Sequence, residues 1–83
     1  MERKFFEHEM MKAEAFKTVE QDPLKIQYWY GYQRGLRRAF HGENFGTSAE
    51  HEKYLDLIED ADEGRQELGK GYRDGLLIER GNA

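Results

Sequence analysis

Two nearly identical hexapeptides occur in this 83-residue chain, one in each half, and they constrain its fold more than any other feature. The first, GYQRGL, begins at Gly31, and the second, GYRDGL, begins at Gly71; we call the step from Gly31 to Gly71 the repeat offset. Each places two glycines four positions apart, so that on a helix both glycines lie on one face. Because glycine is a weak helix former, its use at this spacing indicates a place where another helix approaches closely.

We therefore predict that the second and fourth helices cross at four glycines: Gly31, Gly35, Gly71 and Gly75. Beside the crossing, the i,i+4 pairs Tyr32/Leu36 and Tyr72/Leu76 are predicted to fill the core. Leucine at the second glycine of either hexapeptide is expected to lower the melting temperature, although leucine is the better helix former. An alternative interpretation is that the glycine strip receives a partner helix or mediates dimerisation.

The remaining pattern predicts an all-α protein, with one helical domain (1–83) forming a small bundle of three to four helices in two helical hairpins. Asp22 before Pro23 is typical of a helix start, because the carboxylate caps free amides and proline lacks an N–H that would go unused there. Thr47 and Glu50 have the spacing of a capping box that opens the third helix. Gly42 is typical of the residue at which a helix ends.

Apolar residues at helical spacing locate the candidate core. The first helix is predicted from about Arg3 to Glu20, with its stripe formed by Phe6, Met10, Ala13 and Phe16 and flanked by Phe5 and Val19. The second is predicted from Pro23 towards Phe40, with a stripe of Trp29, Tyr32, Leu36 and Ala39 or Phe40.

The segment 47–80 has two interpretations. A seven-residue apolar rhythm from Tyr54 to Gly75 would suit one unbroken helix. Alternatively, Asp62 caps a separate fourth helix, with Glu63 in its first turn. We favour a break, because Asp62 follows Asp22 by the repeat offset, as the second hexapeptide follows the first.

Composition bears on the cellular location of the protein and on the kinds of site that it can form. Charged residues make up 36% of the chain and cysteine is absent, which excludes disulfides and thiolate metal sites. The charged start of the chain does not resemble a secretion signal, and no apolar run reaches the roughly 20 residues of a membrane span. We therefore expect a cytoplasmic protein with no membrane partner. Residues 1–41 carry a net charge of +2 and residues 42–83 carry −6, which favours pairing of the halves or of two copies, unless both faces are simply solvated.

The residue types that carry chemistry do not form a catalytic or cofactor pattern. His8 and His51 lack the second histidine four residues on that a zinc-protease helix requires, and no Glu-x-x-His pair supports a di-iron site. Ser48 has the position of a helix-start residue rather than a nucleophile. We therefore expect no enzymatic activity, no metal and no cofactor.

One concentrated basic and aromatic stripe is the predicted partner-binding surface: Tyr30, Arg34, Arg37, Arg38 and His41. Guanidinium groups beside aromatic rings can hold phosphates and stack on bases, so a nucleic-acid-associated protein is the alternative function. A simpler interpretation is that Arg37 and Arg38 complement the end of their helix and pair with the acidic third helix.

The expected function is a small non-enzymatic protein-interaction or regulatory protein that binds another protein or itself, as a homodimer. The acidic stretch 59–63 offers a further alternative, an inhibitor of the phage or plasmid type that docks on a basic groove. Within the hexapeptides, Gln33-Arg34 and Arg73-Asp74 differ and are predicted to face outward, where a partner would meet them.

Overall fold

The computed structural model describes residues 1–81, with side chains described up to Glu79. It contains four α-helices: α1 (Arg3–Val19), α2 (Pro23–His41), α3 (Ser48–Asp56) and α4 (Glu63–Gly81). Two single-turn 3₁₀ helices flank α3, and they span Gly42–Asn44 and Leu57–Glu59. No strand occurs within residues 1–81. The predicted all-α bundle is confirmed.

The predicted helix starts are present, with one difference in the third. The Asp22 carboxylate accepts a hydrogen bond from the Leu24 amide at 2.9 Å, and proline occupies the first helical position. Thr47 Oγ1 accepts from the Glu50 amide at 3.1 Å. The reciprocal half of the capping box is missing, because the Glu50 carboxylate pairs with Arg34 at 2.6 Å instead.

The helix is interrupted before α4, so the interpretation of 47–80 as one long helix is wrong. An Asp62 carboxylate oxygen accepts from the Arg65 amide at 2.9 Å, and the Asp62 carbonyl accepts from the Gln66 amide at 2.9 Å. The Asp62 cap stabilises the start of a new helix. Its effect outweighs the seven-residue spacing of apolar residues, which would favour one continuous helix through Gly64. As a result α2 and α4 each have 19 residues.

The packing of α2 against α4 is close, as predicted. A Cβ atom added at Gly31 would lie 2.9 Å from the carbonyl carbon of Leu68, with the carbonyl oxygen nearer still. A Cβ at Gly71 would lie 2.8 Å from the carbonyl carbon of Tyr28. Real Cβ atoms do not approach backbone this closely, so any side chain at these positions would force the helices apart.

The second pair of glycines repeats this arrangement. A Cβ at Gly35 would lie 2.9 Å from the carbonyl carbon of Tyr72, and one at Gly75 would lie 3.0 Å from that of Tyr32. The contact of Gly31 with Leu68 thus has its counterpart in the contact of Gly71 with Tyr28, where each residue is replaced by its equivalent in the other half of the chain. The contacts of Gly35 and Gly75 are related in the same way. Reciprocal contacts of this kind define an approximate two-fold axis between α2 and α4, as in a symmetric dimer.

A further close approach involves Gly69, a glycine outside the two hexapeptides. A Cβ there would lie 2.7 Å from the Ile58 amide nitrogen and 3.0 Å from the Leu57 carbonyl carbon. Gly69 thus lets the 3₁₀ turn after α3 rest directly on α4.

The core is small and lies along α2. Among the described residues, the buried apolar side chains are Ala13, Leu36 and the two hexapeptide tyrosines, Tyr32 and Tyr72. The predicted stripe of α1 is only partly buried: Phe16 is 46% exposed and Val19 is 75% exposed. The end of α1 therefore contributes less to the core than its apolar spacing predicts.

Candidate functional site

Each buried hexapeptide tyrosine uses its hydroxyl to hold the helix packed beside it. Tyr32 donates to the Glu9 carboxylate at 2.6 Å, and Lys12 lies 2.9 Å from the same carboxylate oxygen. Tyr72 lies 2.6 Å from His51 Nδ1. These polar contacts therefore join α1 to α2 and α3 to α4, and they serve the fold.

The surroundings of Glu9 favour its charged form. Burial opposes the charge of Glu9, but hydrogen bonds from Tyr32 and Lys12 outweigh it and hold the pKa of Glu9 below its ordinary value. Burial, and then the hydrogen bond to Glu9, raises the pKa of Tyr32, which stays a donor.

Arg34, the centre of the predicted basic stripe, packs against other parts of the chain. Its guanidinium lies 5.1 Å from the ring centroid of Phe45 and 5.3 Å from that of Tyr54, and it pairs with Glu50 at 2.6 Å. The side chain is 22% exposed. The prediction that Gln33 and Arg34 face outward is therefore wrong, and Gln33 is only 5% exposed.

The other members of the stripe contact separate neighbours. Arg38 donates to the Phe45 carbonyl at 3.1 Å and so holds the loop before α3. The Lys17 ammonium lies over the Tyr30 ring, 5.7 Å from the centroid of that ring. His41 packs edge-on against the stacked rings of Phe6 and Phe40.

The pKa of Glu14 lies below its ordinary value, mainly through hydrogen bonds from Gln33 and Lys17, and the charge of Arg37 makes a smaller contribution in the same direction. The structure thus brings Arg34 and Arg38 together around Phe45, and it places Tyr30 against Lys17 of α1.

A different surface has the character of a binding site, and we name it the Trp29 groove. It is an open groove of about 420 Å³ between α2 and α4, lined by Tyr28, Trp29, Tyr32, Asp74, Leu77 and Ile78. Phe16 extends its aromatic wall by stacking on Trp29 at 4.9 Å between ring centroids. Leu77 is 39% exposed. Trp29, predicted to belong to the core stripe of α2, has an open edge here, and that edge depends on Leu77 and Ile78 from the other half of the chain.

One carboxylate, Asp74, lies in this apolar groove. Tyr28 donates its hydroxyl to Asp74 at 2.6 Å, and Arg73 Nε approaches the other carboxylate oxygen at 3.1 Å. Burial, followed by the bond to Asp74, raises the pKa of Tyr28, so the hydroxyl remains a donor. The Asp74 side chain is 40% exposed, and a carboxylate has about four acceptor sites, so it can receive a further donor from outside.

Another groove, of about 460 Å³ between α3 and α4, is less suited to an apolar partner. Its lining includes three charged residues, Lys53, Asp60 and Arg65. Two of them, Arg65 and Asp60, approach each other at 3.9 Å. We therefore take the Trp29 groove as the candidate functional site.

Within residues 1–81, no three histidine, aspartate or glutamate side chains are grouped as metal ligands. None of the helices in that range combines the length and apolarity needed to cross a membrane. Comparisons with protein-family models, curated proteins and solved structures found no match to this chain.

Proposed function

We propose that this protein is a small non-enzymatic interaction protein that binds a partner protein through the Trp29 groove. The observation that supports it is an open aromatic groove on a chain whose residues are 36% charged. Exposed apolar surface is unfavourable in a small soluble domain and commonly marks a binding site. Tryptophan and tyrosine are also the residues that contribute most to protein interfaces.

The partner is another protein or a second copy of this chain, and a homodimer would cover the same groove. The crossing glycines would not take part, because their faces are occupied by the opposite helix within one chain. A cytoplasmic location agrees with the absence of cysteine.

The nucleic-acid alternative has less support. Arg34 and Arg38 are engaged with Glu50 and the Phe45 carbonyl, and the chain carries a net charge of −4. Phosphate binding by the remaining basic groups would weaken steeply with salt. An electrophoretic shift assay at low salt tests it, and a complete absence of shifted nucleic acid would remove it.

The groove is tested with a matched pair of lysine substitutions. Leu77→Lys places a charge in the groove, whereas Met11→Lys places one on α1 at a side chain that is 73% exposed and does not line the groove. Tagged wild type and both variants are used to capture proteins from the source cell, with circular dichroism to verify folding. We expect wild type and Met11→Lys to enrich the same partner and Leu77→Lys to lose it. Equal enrichment by all three would refute the proposal.

A further inference from the structure

The internal repeat relates the Trp29 groove to a corner on the other side of the α2–α4 crossing. Under the repeat offset, Tyr32 corresponds to Tyr72 and Asp74 corresponds to Arg34. The reciprocal glycine contacts show that the backbones of α2 and α4 follow this correspondence in space as well as in sequence. We name the second site the Phe45 corner, and it is formed by Arg34, Arg38, Phe45, Glu50, Tyr54 and Tyr72.

In the Phe45 corner, a segment of the same chain fills the space beside Arg34. The loop between α2 and α3 inserts the Phe45 ring beneath the Arg34 guanidinium, at 5.1 Å. Glu50, five residues further along the same segment, pairs with Arg34 at 2.6 Å. Only about 10 Å³ of space remains there, which is room for a single water molecule. One segment therefore delivers both an aromatic ring and a charge opposite to that of Arg34.

The equivalent segment, in α1, lies beside the Trp29 groove without filling it. The residue that precedes Phe45 by the repeat offset is Phe5, and it belongs to α1 rather than to a loop. The groove retains about 420 Å³. At the place of Arg34 it has Asp74, so the sign of the local charge is reversed.

From this correspondence we propose that the Trp29 groove binds a protein segment carrying an aromatic residue and, about five residues further on, a lysine or arginine. The ring lies against Trp29 and Leu77, and the cation pairs with Asp74 as Glu50 pairs with Arg34. Arg73, 3.1 Å from Asp74, is the one described cation that competes for this carboxylate. The inference rests on the proposed function, because it gives the chemistry of the partner for the same groove.

The probe is a synthetic peptide with the sequence of residues 43–53, carrying Glu50→Lys. Two control peptides are the unchanged sequence and the Glu50→Lys peptide with Phe45→Ala. Trp29 is the only tryptophan, so its fluorescence reports occupancy of the groove directly. We expect the Glu50→Lys peptide to bind at least about fivefold more tightly than either control at low salt, with the preference over the unchanged sequence falling as salt increases.

A charge exchange separates this inference from the proposed function. Asp74→Lys protein is expected to prefer the unchanged Glu50 peptide over the Glu50→Lys peptide, and Leu77→Lys protein is expected to bind neither. Equal affinity of wild type for the two charge variants, or no binding of any peptide at millimolar concentration, overturns the inference. If Leu77→Lys still abolishes capture of a cellular partner in that case, the groove remains the docking surface and only the proposed partner chemistry fails.

Discussion

Replacing Gly35 with alanine adds one methyl group at the crossing of α2 and α4, and its effect tests the packing directly. In an open helix this change is stabilising by about 1 kcal/mol, because alanine is the better helix former. At Gly35 the new Cβ would lie 2.8 Å from the Leu76 amide nitrogen and 2.9 Å from the Tyr72 carbonyl carbon. Both atoms belong to the backbone, so relief requires α2 and α4 to separate.

The size of the effect follows from these opposing terms. Overpacking a well-packed interior by one methyl group costs about 1–3 kcal/mol, and more where the surroundings are rigid. We take the upper end of that range because the obstructing atoms are backbone, and subtract the gain in helix propensity of about 1 kcal/mol. The net loss in the free energy of unfolding is about 2 kcal/mol. For a domain of this size that corresponds to a fall of roughly 8–16 °C in melting temperature.

The measurement is thermal and urea unfolding followed by far-ultraviolet circular dichroism. Gly64→Ala is the matched control, since a Cβ there meets only the Asp62 carboxylate, at 3.2 Å. Because that atom ends a short side chain rather than belonging to backbone, we expect the control to lose much less stability than Gly35→Ala. A Gly35→Ala protein that melts at or above the wild-type temperature would refute the close packing and, with it, the reason for the repeated hexapeptide.

Two further predictions concern contacts outside the crossing. Gly69→Ala is expected to destabilise the protein by about 1–2 kcal/mol, because its Cβ would meet the Ile58 amide; the same urea titration measures it, and an unchanged midpoint would contradict it. The pKa of Glu9 is lower in the folded state than its ordinary value of 4.5, so its stabilising effect is present above about pH 4.5 and is lost as the pH falls through the lowered pKa. Glu9→Gln should therefore unfold with a weaker pH dependence in that acidic range, and an identical dependence would show that the folded state does not favour the charged form of Glu9.

Local chemistry made much of the fold predictable from the sequence. Asp22 and Asp62 act on amides two or three residues away, so their caps could be inferred without tertiary information. The paired glycines indicated a close helix contact because no other role suits them inside a helix. The repeat offset, applied to Asp22 and Asp62, also predicted the break before α4.

The candidate site was less predictable, for a physical reason. Helical spacing shows which residues share a face, but not what covers that face. Arg34 looked exposed until Phe45 and Glu50, from the following loop and helix, closed over it. Trp29 looked buried, because the groove that opens its edge is completed by Leu77 from α4.

The separation of the crossing contacts along the chain also bears on how the protein folds. Every glycine of the crossing meets backbone from the other half of the chain. Four helix-weakening glycines thus leave α2 and α4 unstable as isolated helices, until the two halves meet. We therefore expect that neither half accumulates alone, and that the folding barrier includes the docking of α2 on α4. Because these contacts join residues far apart in the chain, we expect folding to be slower than in bundles whose packed helices are adjacent in sequence.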